Sequence, residues 1–399
     1  MKQIILTVLS ATLLFAAPRE EDDFQQFLQE EQGGYTQYKN ELEKEFAEYK
    51  KALEEEFKSY KKEVGAYWDD TKLDNPNAWT TYSKDKKTRT IVDFEKGEVR
   101  IQTQTSDPKK AAKILKDEIE RTISIDKKEA YQKDELNQRI EKRIAKFKNL
   151  AKGKVEAEPV LGDVFFDQKK PSKSAQDALV KKLLKSSDKS YQTTPKRKKK
   201  YVEAVFPLPA QKVSGTKLPK YMAGKADKLA PYAKRYAKKE NLSVPLVMAI
   251  MHCESAFNPM ARSHVPAFGL MQIVPRTAGK DATKYMTGKP QLLSPSYLYN
   301  EEKNIQTGSA YLHILYYSYL KKIKNPQSRL YCTIAAYNTG AGNVSKAFTG
   351  KTNIFKSAET INRYSPQEVY NQLMKYLPYD ETKHYLKRVS SRMHLYEDI

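Results

Sequence analysis

An 11-residue repeat of apolar residues runs through residues 20–68 and restricts this segment to one kind of secondary structure. Eleven residues fill three turns at 3.67 residues per turn, which keeps the apolar residues on one face of an α-helix. Glu and Lys occupy many of the positions between them. We therefore predict a long amphipathic helix over residues 18–68, which packs on another part of the protein, associates with itself or binds a partner protein. The registers of the repeat are Phe24, Tyr35, Phe46, Phe57 and Trp68; Phe27, Tyr38, Tyr49 and Tyr60; and Leu42, Leu53 and Val64.

Residues 1–17 have the pattern of a secretory signal peptide. Lys2 precedes an apolar run that extends from Ile4 to Ala17, and charged residues follow. This run is shorter than the membrane-spanning length of about 20 residues. We expect export of the protein, with residues 1–17 either removed or retained as an anchor. Ala17 stands where a lipoprotein would carry its lipid-bearing cysteine, so we do not expect lipidation.

Charge is distributed unevenly along the 399 residues. The net formal charge is +22, yet residues 19–66 carry a net charge of −6 and residues 67–399 carry +27. A basic surface attracts nucleic acid, an anionic membrane or an acidic polymer. Because we expect export, we predict no nucleic-acid partner. The length allows two or three domains.

Residues 69–210 combine strand patterns with helix patterns, and we predict that they form a small α+β domain. We find no candidate catalytic cluster in them. The Pro-, Gly- and Ser-rich stretch at 207–219 is typical of a linker. The predicted elements are a β-hairpin at 90–105, a helix at 107–123 capped by Asp107, a second helix at 127–150, and strands at 160–167 and 199–209.

Residues 211–399 have mainly helical patterns, and one predicted helix places a carboxyl group at the edge of the core. This helix begins after Ser243, which can cap it. Leu246, Ile250 and Glu254 are spaced by four residues and share one face. Glu254 therefore lies at the last turn of a buried face, where desolvation raises a carboxyl pKa and suits a general acid. This segment alone is equally consistent with a Glu254 side chain that swings into solvent at a fraying helix end.

His252 and Cys253 stand beside Glu254 and raise two other hypotheses, a metal site and a thiol nucleophile. Zinc deaminases have the string H-x-E, but they also need P-C-x-x-C, which this chain lacks. The remaining histidines are scattered along the chain, so we expect neither a metal nor a cofactor. We predict that His252 is a partly exposed helix residue. Cys253 and Cys332 are the only cysteines, and their spacing leaves open whether they form a disulfide.

Four motifs occur in order along the C-terminal part of the chain. They contain Glu254 and Ser255 in "ESAFNPMA", Gly269, Met271 and Gln272 in "GLMQIVPRTAG", Tyr337 and Asn338 in "AAYNTGAGNV", and Tyr385 in "ETKHYLKRV". Gly269 precedes what we expect to be a helix start. Together, the motifs resemble the soluble lytic transglycosylases of glycoside hydrolase family 23, whose catalytic domain is lysozyme-like. The resemblance also includes "NIQTGSAYL" and covers about residues 220–395. Residues 69–210 more loosely resemble the N-terminal domain of membrane-bound members.

The resemblance implies a multidomain protein with a mainly α, lysozyme-like transglycosylase domain at 211–399. It implies cleavage of the β-1,4 bond between N-acetylmuramic acid and N-acetylglucosamine in peptidoglycan, which leaves 1,6-anhydromuramic ends. Glu254 would act as the single acid and base. A two-carboxylate glycosidase needs a second acid, and none occurs between Glu254 and Asp281.

The roles of the other motif residues also follow from the resemblance. Ser255 would hold the substrate or the loop at Glu254, and Tyr385 would donate a hydrogen bond that orients Glu254. Met271 and Gln272, after Gly269, would line the sugar cleft, and Tyr337 and Asn338 would contact the substrate.

The resemblance further implies that the protein acts in the periplasm of a Gram-negative bacterium, with peptidoglycan glycan strands as its partner. An envelope protein or a second copy of the chain would bind through residues 20–68, and weak membrane association is left open. Two alternatives stay open for the activity. One is a hydrolase of the goose-lysozyme type, and the other is a non-catalytic peptidoglycan-binding scaffold.

Overall fold

The computed structural model describes residues 18–166, 171–196, 198–209, 218–263 and 267–399, with side chains from residue 40 onward. The predicted signal at 1–17 lies outside these residues, as does most of the predicted linker at 207–219. The compact units are residues 1–49 and residues 50–399. Within the described ranges, no helix combines the length and the apolar character needed to cross a membrane.

Most of the described secondary structure is helical. The α-helices are α1 (Pro18–Gly65), α2 (Pro108–Ser124), α3 (Lys127–Lys133), α4 (Glu135–Ile144), α5 (Gly162–Phe165), α6 (Lys173–Ser186), α7 (Lys220–Lys239), α8 (Val244–Ser255), α9 (Lys280–Thr287), α10 (Pro295–Leu298), α11 (Glu301–His313), α12 (Pro326–Thr339), α13 (Ala341–Thr349), α14 (Ile354–Ile361), α15 (Pro366–Tyr376) and α16 (Asp380–Arg392). Two π-helical segments (Pro275–Gly279 and Ile314–Tyr319) and a 3-10 helix (Met393–Tyr396) complete the set.

The strands form one antiparallel sheet and one short parallel pair. They are β1 (Ala78–Tyr82), β2 (Thr88–Asp93), β3 (Glu98–Thr103), β4 (Leu150–Ala151), β5 (Asp188–Thr193), β6 (Lys200–Pro207) and β7 (Leu292–Leu293). The sheet has the order β1-β2-β3-β6-β5, and β4 pairs with β7. The β2–β3 hairpin, the strand in 199–209 and the helix capped by Asp107 are confirmed.

Helix α1 is present where the 11-residue repeat predicts a helix. Within residues 50–399, its apolar face is buried while Lys51, Lys58 and Lys61 on other faces are exposed. The buried residues are Leu53, Phe57, Tyr60 and Val64. The Arg139 guanidinium donates two hydrogen bonds to the Glu63 carboxylate, at 2.6 and 2.8 Å. Binding of a partner through residues 20–68 stays a prediction.

Two sequence-based predictions for the α+β part are wrong. The strand predicted at 160–167 is replaced by α5, because the chain turns at Gly162 after Val160 pairs its N–H with the Ile125 carbonyl. The single helix predicted at 127–150 is divided between α3 and α4. Asp134 ends the first helix and caps the second, since its carboxylate accepts a hydrogen bond from the Asn137 N–H at 2.9 Å.

Helix α8 lies at the centre of the helical part of the molecule. Ser243 caps it as predicted, accepting from the Leu246 N–H at 3.4 Å. Every residue from 246 to 253 is buried, so the helix is enclosed on all sides. The helix ends at Ser255 because Ala256 and Phe257 adopt left-handed backbone conformations, with φ of 48° and 58°. This termination leaves Glu254 in the last turn.

The sheet part and the helical part of residues 50–399 meet through buried ion pairs. Arg262 contacts Asp74 at 2.5 Å and Asp134 at 3.2 Å. Lys127 contacts Glu301 at 2.7 Å. The domain boundaries predicted at 69 and 211 stay predictions, and these contacts join the two parts that they would separate.

Candidate active site

Glu254 is a half-buried residue at the end of an otherwise buried helix. Removal from water raises its pKa to about 7, because burial penalises the charged form. The Tyr385 hydroxyl and the Arg388 charge lower this pKa, whereas the Glu381 charge raises it. A carboxyl group with this pKa can give up a proton near neutral pH and take one back.

The residues that influence Glu254 lie on one face of α16. Glu381, Tyr385 and Arg388 are spaced by four and three residues, so their side chains project toward the same side. Tyr385 is buried, and its hydroxyl has no partner with full hydrogen-bond geometry among the described residues. Its interaction with Glu254 nevertheless lowers the pKa of that carboxyl group. Such a loose contact is common in a site without substrate.

Ser255 joins the end of α8 to the segment that contains the second motif. Its hydroxyl is fully buried and lies within hydrogen-bond distance of two carbonyls, Met251 O at 3.0 Å and Leu270 O at 2.9 Å. These contacts are internal, so they hold the loop beside Glu254. Burial removes this hydroxyl from direct contact with a substrate in the described conformation.

The segment from 267 to 273 is a tight turn, so the helix start predicted after Gly269 is wrong. Gly269 has φ of 76°, and a Cβ there would lie 2.2 Å from the Asn304 Nδ2. Gln272 also has a positive φ, of 45°. The helical conformation begins only at the π-helical segment Pro275–Gly279. Two left-handed residues bend the chain sharply and explain the missing helix start.

Asn304 holds this turn from the side and was not identified from the sequence. Its Oδ1 accepts from the Met271 N–H at 2.8 Å, and its Nδ2 donates to the Phe268 and Leu298 carbonyls, both at 2.9 Å. The side chain is fully buried. Asn304 begins the motif "NIQTGSAYL", but only the folded turn shows what its side chain does.

Gln272 and Met271 occupy different depths of this turn. The Gln272 Nε2 donates to the Gly269 carbonyl at 2.9 Å, and its Oε1 is buried without a partner among the described residues. Met271 is fully buried and packs on Gly308, where a Cβ would lie 2.4 Å from the Met271 sulfur. The Met271 side chain is therefore part of the wall behind the turn.

Tyr337 and Asn338 lie at the end of α12 and connect to both sides of the site. The Tyr337 hydroxyl donates to the Met271 carbonyl at 2.8 Å, and burial together with the Glu254 charge raises its pKa. Asn338 Oδ1 accepts from the buried Thr382 hydroxyl at 2.7 Å, which ties α12 to α16. Thr382 was not identified from the sequence.

The prediction that His252 is partly exposed is wrong. His252 is 5% exposed, and its Nδ1 lies 2.7 Å from the Tyr396 hydroxyl. Burial and the nearby Arg392 and Arg388 charges lower its pKa to about 3. The fold encloses α8 on every side, which helical periodicity did not indicate. Cys253 and Cys332 are both buried free thiols and do not form a disulfide.

The class of domain follows from comparison with known proteins. Residues 231–359 match the transglycosylase SLT domain. This range includes α8, the turn at 267–273 and α12. The resemblance predicted from the motifs is confirmed for this part of the chain.

Two of the similar proteins are each named membrane-bound lytic murein transglycosylase C. The one from Serratia proteamaculans (strain 568) is 41% identical over 179 residues, which are 45% of this chain and 49% of that protein. The one from Photorhabdus laumondii subsp. laumondii is 42% identical over 174 residues, 44% of this chain and 48% of that protein. The chain thus spans about half the length of the curated relatives it matches.

Solved structures of lytic transglycosylases are also similar in sequence over part of the chain. The 70 kDa soluble lytic transglycosylase of Escherichia coli is 29% identical, covering 45% of this chain and 27% of that one, with a TM-score of 0.33. An inactive mutant of the lytic transglycosylase Slt from Pseudomonas aeruginosa is 30% identical, covering 42% and 24%, with a TM-score of 0.32.

Proposed function

We propose that this protein is a peptidoglycan lytic transglycosylase in which Glu254 is the single catalytic acid and base. The observation that carries the proposal is the Glu254 carboxyl group, whose pKa of about 7 results from its place at the end of a buried helix. The transglycosylase SLT domain around it supports the substrate class. The names of the relatives support murein as the substrate.

In the first step, protonated Glu254 gives its proton to the oxygen of the β-1,4 bond between N-acetylmuramic acid and N-acetylglucosamine. The C1–O bond breaks, and positive charge develops at C1 of the muramic sugar. Desolvation supplies the protonated carboxyl group at neutral pH, which an exposed glutamate would not. The leaving sugar departs with the proton as an alcohol.

In the second step, the Glu254 carboxylate takes the proton from the C6 hydroxyl of the same muramic sugar. The C6 oxygen then bonds to C1 and closes a 1,6-anhydro ring. No water is consumed, and Glu254 returns to its protonated form. Arg388 and the Tyr385 hydroxyl both favour the charged form of Glu254, so they stabilise the carboxylate present between the two steps.

The other motif residues have supporting roles in this proposal. Tyr385 orients the Glu254 carboxyl group, and Ser255 holds the turn at 267–273 beside it through the Leu270 carbonyl. Gln272 lines the sugar cleft with its amide bonded to the Gly269 carbonyl, and Asn338 contacts the substrate from the end of α12. Tyr337 and Met271 shape the wall of the cleft, and Gly269 gives the turn its left-handed conformation.

The place of action that we propose is the periplasm of a Gram-negative bacterium. The protein would use glycan strands as its substrate there. Association with an envelope protein or with a second copy, through residues 20–68, belongs to the same proposal. The repeat residues Phe24, Phe27, Tyr35 and Tyr38 support it, whereas the repeat residues from Leu53 onward are buried within the chain.

The test is digestion of purified sacculi followed by mass spectrometry of the sugar ends. We expect anhydromuramic ends, which are lighter than hydrolysed ends by one water, about 18 Da. Glu254→Gln should abolish release, while Glu359→Gln, at an exposed helical glutamate of the same domain, should release sugar at the rate of the unmodified protein.

Three results would contradict the proposal in different ways. Hydrolysed ends would identify a hydrolase of the goose-lysozyme type. Binding of sacculi without release of sugar by the unmodified protein would identify a scaffold. Full activity of Glu254→Gln would show that another residue is the acid.

A further inference from the structure

A cavity of about 460 Å³ lies in the α+β part of the molecule. Its walls come from the end of α1, the β1–β2 hairpin, α2, and the junction of α3 and α4. None of the residues proposed for catalysis lines it. The volume is in the range of sites that hold a small molecule or a short peptide.

The most deeply buried lining residues of this cavity are charged. Arg262 and Asp74 are buried, with side chains 4% and 2% exposed, and they contact each other at 2.5 Å. Thr80 donates its N–H to the Asp74 carboxylate at 2.6 Å. The Arg262 Nε has no hydrogen-bond partner among the described residues. Charged groups are costly to place in a cavity wall unless polar groups fill the space, so this cavity suits a polar occupant.

The other charged lining residues carry both signs of charge. Lys86 pairs with Glu135 at 2.8 Å, and Arg121 pairs with Glu118 at 2.7 Å. Lys84 is exposed and makes no ion pair with any described residue. A ligand of one sign would meet like charges on part of the wall. A ligand with both an ammonium and a carboxylate group can satisfy both kinds of residue.

Aromatic rings complete the lining. Tyr60 and Tyr82 both line the cavity, with ring centroids 6.4 Å apart in an edge-to-face arrangement. Their faces and edges provide apolar contact area for the backbone and the methyl groups of a peptide. A small inorganic ion would not use this area.

We propose that this cavity is a second binding site, which takes a short peptide with free carboxylate and ammonium groups. Lys84 would bind a peptide carboxylate at the entrance. The ammonium group would bind the Glu135 carboxylate, which is 39% exposed, beside its Lys86 partner. The peptide stems of murein have this chemistry, and their choice as the natural ligand rests on the proposed function.

The cavity is connected to the turn of the candidate active site through Arg262. The neighbouring Ala261 carbonyl accepts from the Gly269 N–H at 2.8 Å, and Arg262 forms a β-bridge with Phe268. A peptide in the cavity would therefore contact the side chain of a residue whose backbone supports the turn. Binding is best measured without turnover, which Glu254→Gln permits.

The experiment is isothermal titration calorimetry of the full-length Glu254→Gln protein with the synthetic peptide Ala-Glu-Lys-Ala, which has free termini. We expect saturable binding of one peptide per chain. Lys84→Glu should weaken it about fivefold or more, because the charge reversal replaces an attractive contact with a repulsive one. Lys87→Glu is the matched control, since Lys87 is exposed on the same hairpin but does not line the cavity.

Two further ligands test whether binding depends on the charged groups of the peptide and whether it competes with binding of sugar. The acetylated and amidated peptide Ala-Gln-Gln-Ala should bind at least fivefold more weakly, and a chitin tetrasaccharide should leave the affinity for the charged peptide unchanged. The proposal is overturned by absence of saturable binding, by equal affinity of the Lys84→Glu and Lys87→Glu proteins, or by equal affinity for the neutral peptide. Analysis of sugar ends tests the proposed activity separately, so failure of one assay does not imply failure of the other.

Discussion

At the scale of single residues, Glu254 combines the chemical role proposed for it with an energetic cost. Its carboxyl group lies at the end of α8, where burial raises its pKa from 4.5 to about 7. A glutamate in the unfolded chain loses its proton near the lower value. The folded protein therefore pays a desolvation penalty whenever the group is charged, and a neutral side chain of the same shape would avoid it.

We predict that Glu254→Gln stabilises the folded protein more at pH 8 than at pH 4. Between pH 4.5 and about 7 the unfolded state releases the proton first, so stability of the unmodified protein falls as pH rises through this window. The gain from the substitution should be about 1–3 kcal/mol above pH 7. Urea denaturation at both pH values measures it, and Glu359→Gln should show no such difference.

We predict that Tyr385→Phe moves the basic limb of the pH profile of kcat/KM to higher pH, by up to about one pH unit. The Tyr385 hydroxyl lowers the pKa of Glu254, so its removal leaves the carboxyl group protonated to higher pH. The maximal rate should fall about tenfold or more, because the acid loses its orientation. Tyr376→Phe, at an exposed tyrosine, is the control. A basic limb that does not move in Tyr385→Phe would contradict the effect of Tyr385 on the pKa of Glu254.

At the scale of elements, the turn at 267–273 determines where Gln272 and Met271 lie relative to the end of α8. Ser255 binds it from one side through Leu270, and Asn304 binds it from the other through Met271. Because the turn contains left-handed residues, side-chain hydrogen bonds replace the regular bonding of a helix. This dependence makes the turn sensitive to added volume.

We predict that Gly269→Ala destabilises the protein far more than Gly288→Ala. The two glycines have nearly equal φ, 76° and 78°, so each substitution should carry the same backbone cost of about 1–2 kcal/mol. A Cβ at Gly269 would lie 2.3 Å from the Leu298 carbonyl, whereas Gly288 has open space. We expect an additional loss of about 1–3 kcal/mol at Gly269 in denaturant titrations. Equal losses of stability in the two variants would show that the turn can shift to accommodate the added methyl group.

The elements also show which features of the fold local sequence patterns can predict. Ser243, Asp107 and the hairpin at 90–105 were predictable, because caps and hairpins depend on residues within a few positions of one another. The break at Asp134 was missed, since charged helical periodicity continues across it. β1 and β5 were missed as well, because their sequences have no strong alternation of apolar and polar residues.

At the scale of the whole molecule, buried ion pairs connect the sheet part to the helical part of residues 50–399. Arg262 follows α8 in sequence but contacts Asp74, Asp134 and Asn137 in the α+β part. Its guanidinium also lies over the Phe57 ring of α1, at 5.4 Å from the centroid. The segment that carries the turn at 267–273 is thus anchored outside the region that matches the transglycosylase domain.

We predict that Arg262→Met destabilises the protein by about 3–5 kcal/mol, because it leaves buried carboxylates without a partner. The control is Arg235→Met, which breaks a pair with Glu302 whose side chains are 62% and 39% exposed, and which should cost less than about 1 kcal/mol. The double variant Arg262→Met with Asp74→Asn should recover part of the loss. Thermal unfolding of the three proteins decides whether Arg262 anchors the structure.

The sequence by itself determined the order of the motifs, the cap of the helix that ends at Ser255 and the place of Glu254 in the last turn of that helix. These features depend on spacing and capping within a few residues, which do not require knowledge of distant contacts. Only the tertiary structure decided that Arg388 and Glu381 act on Glu254, that Asn304 holds the turn, and that His252 is buried. Those outcomes depend on which elements pack together, because desolvation and hydrogen bonding are properties of the assembled surroundings of a side chain.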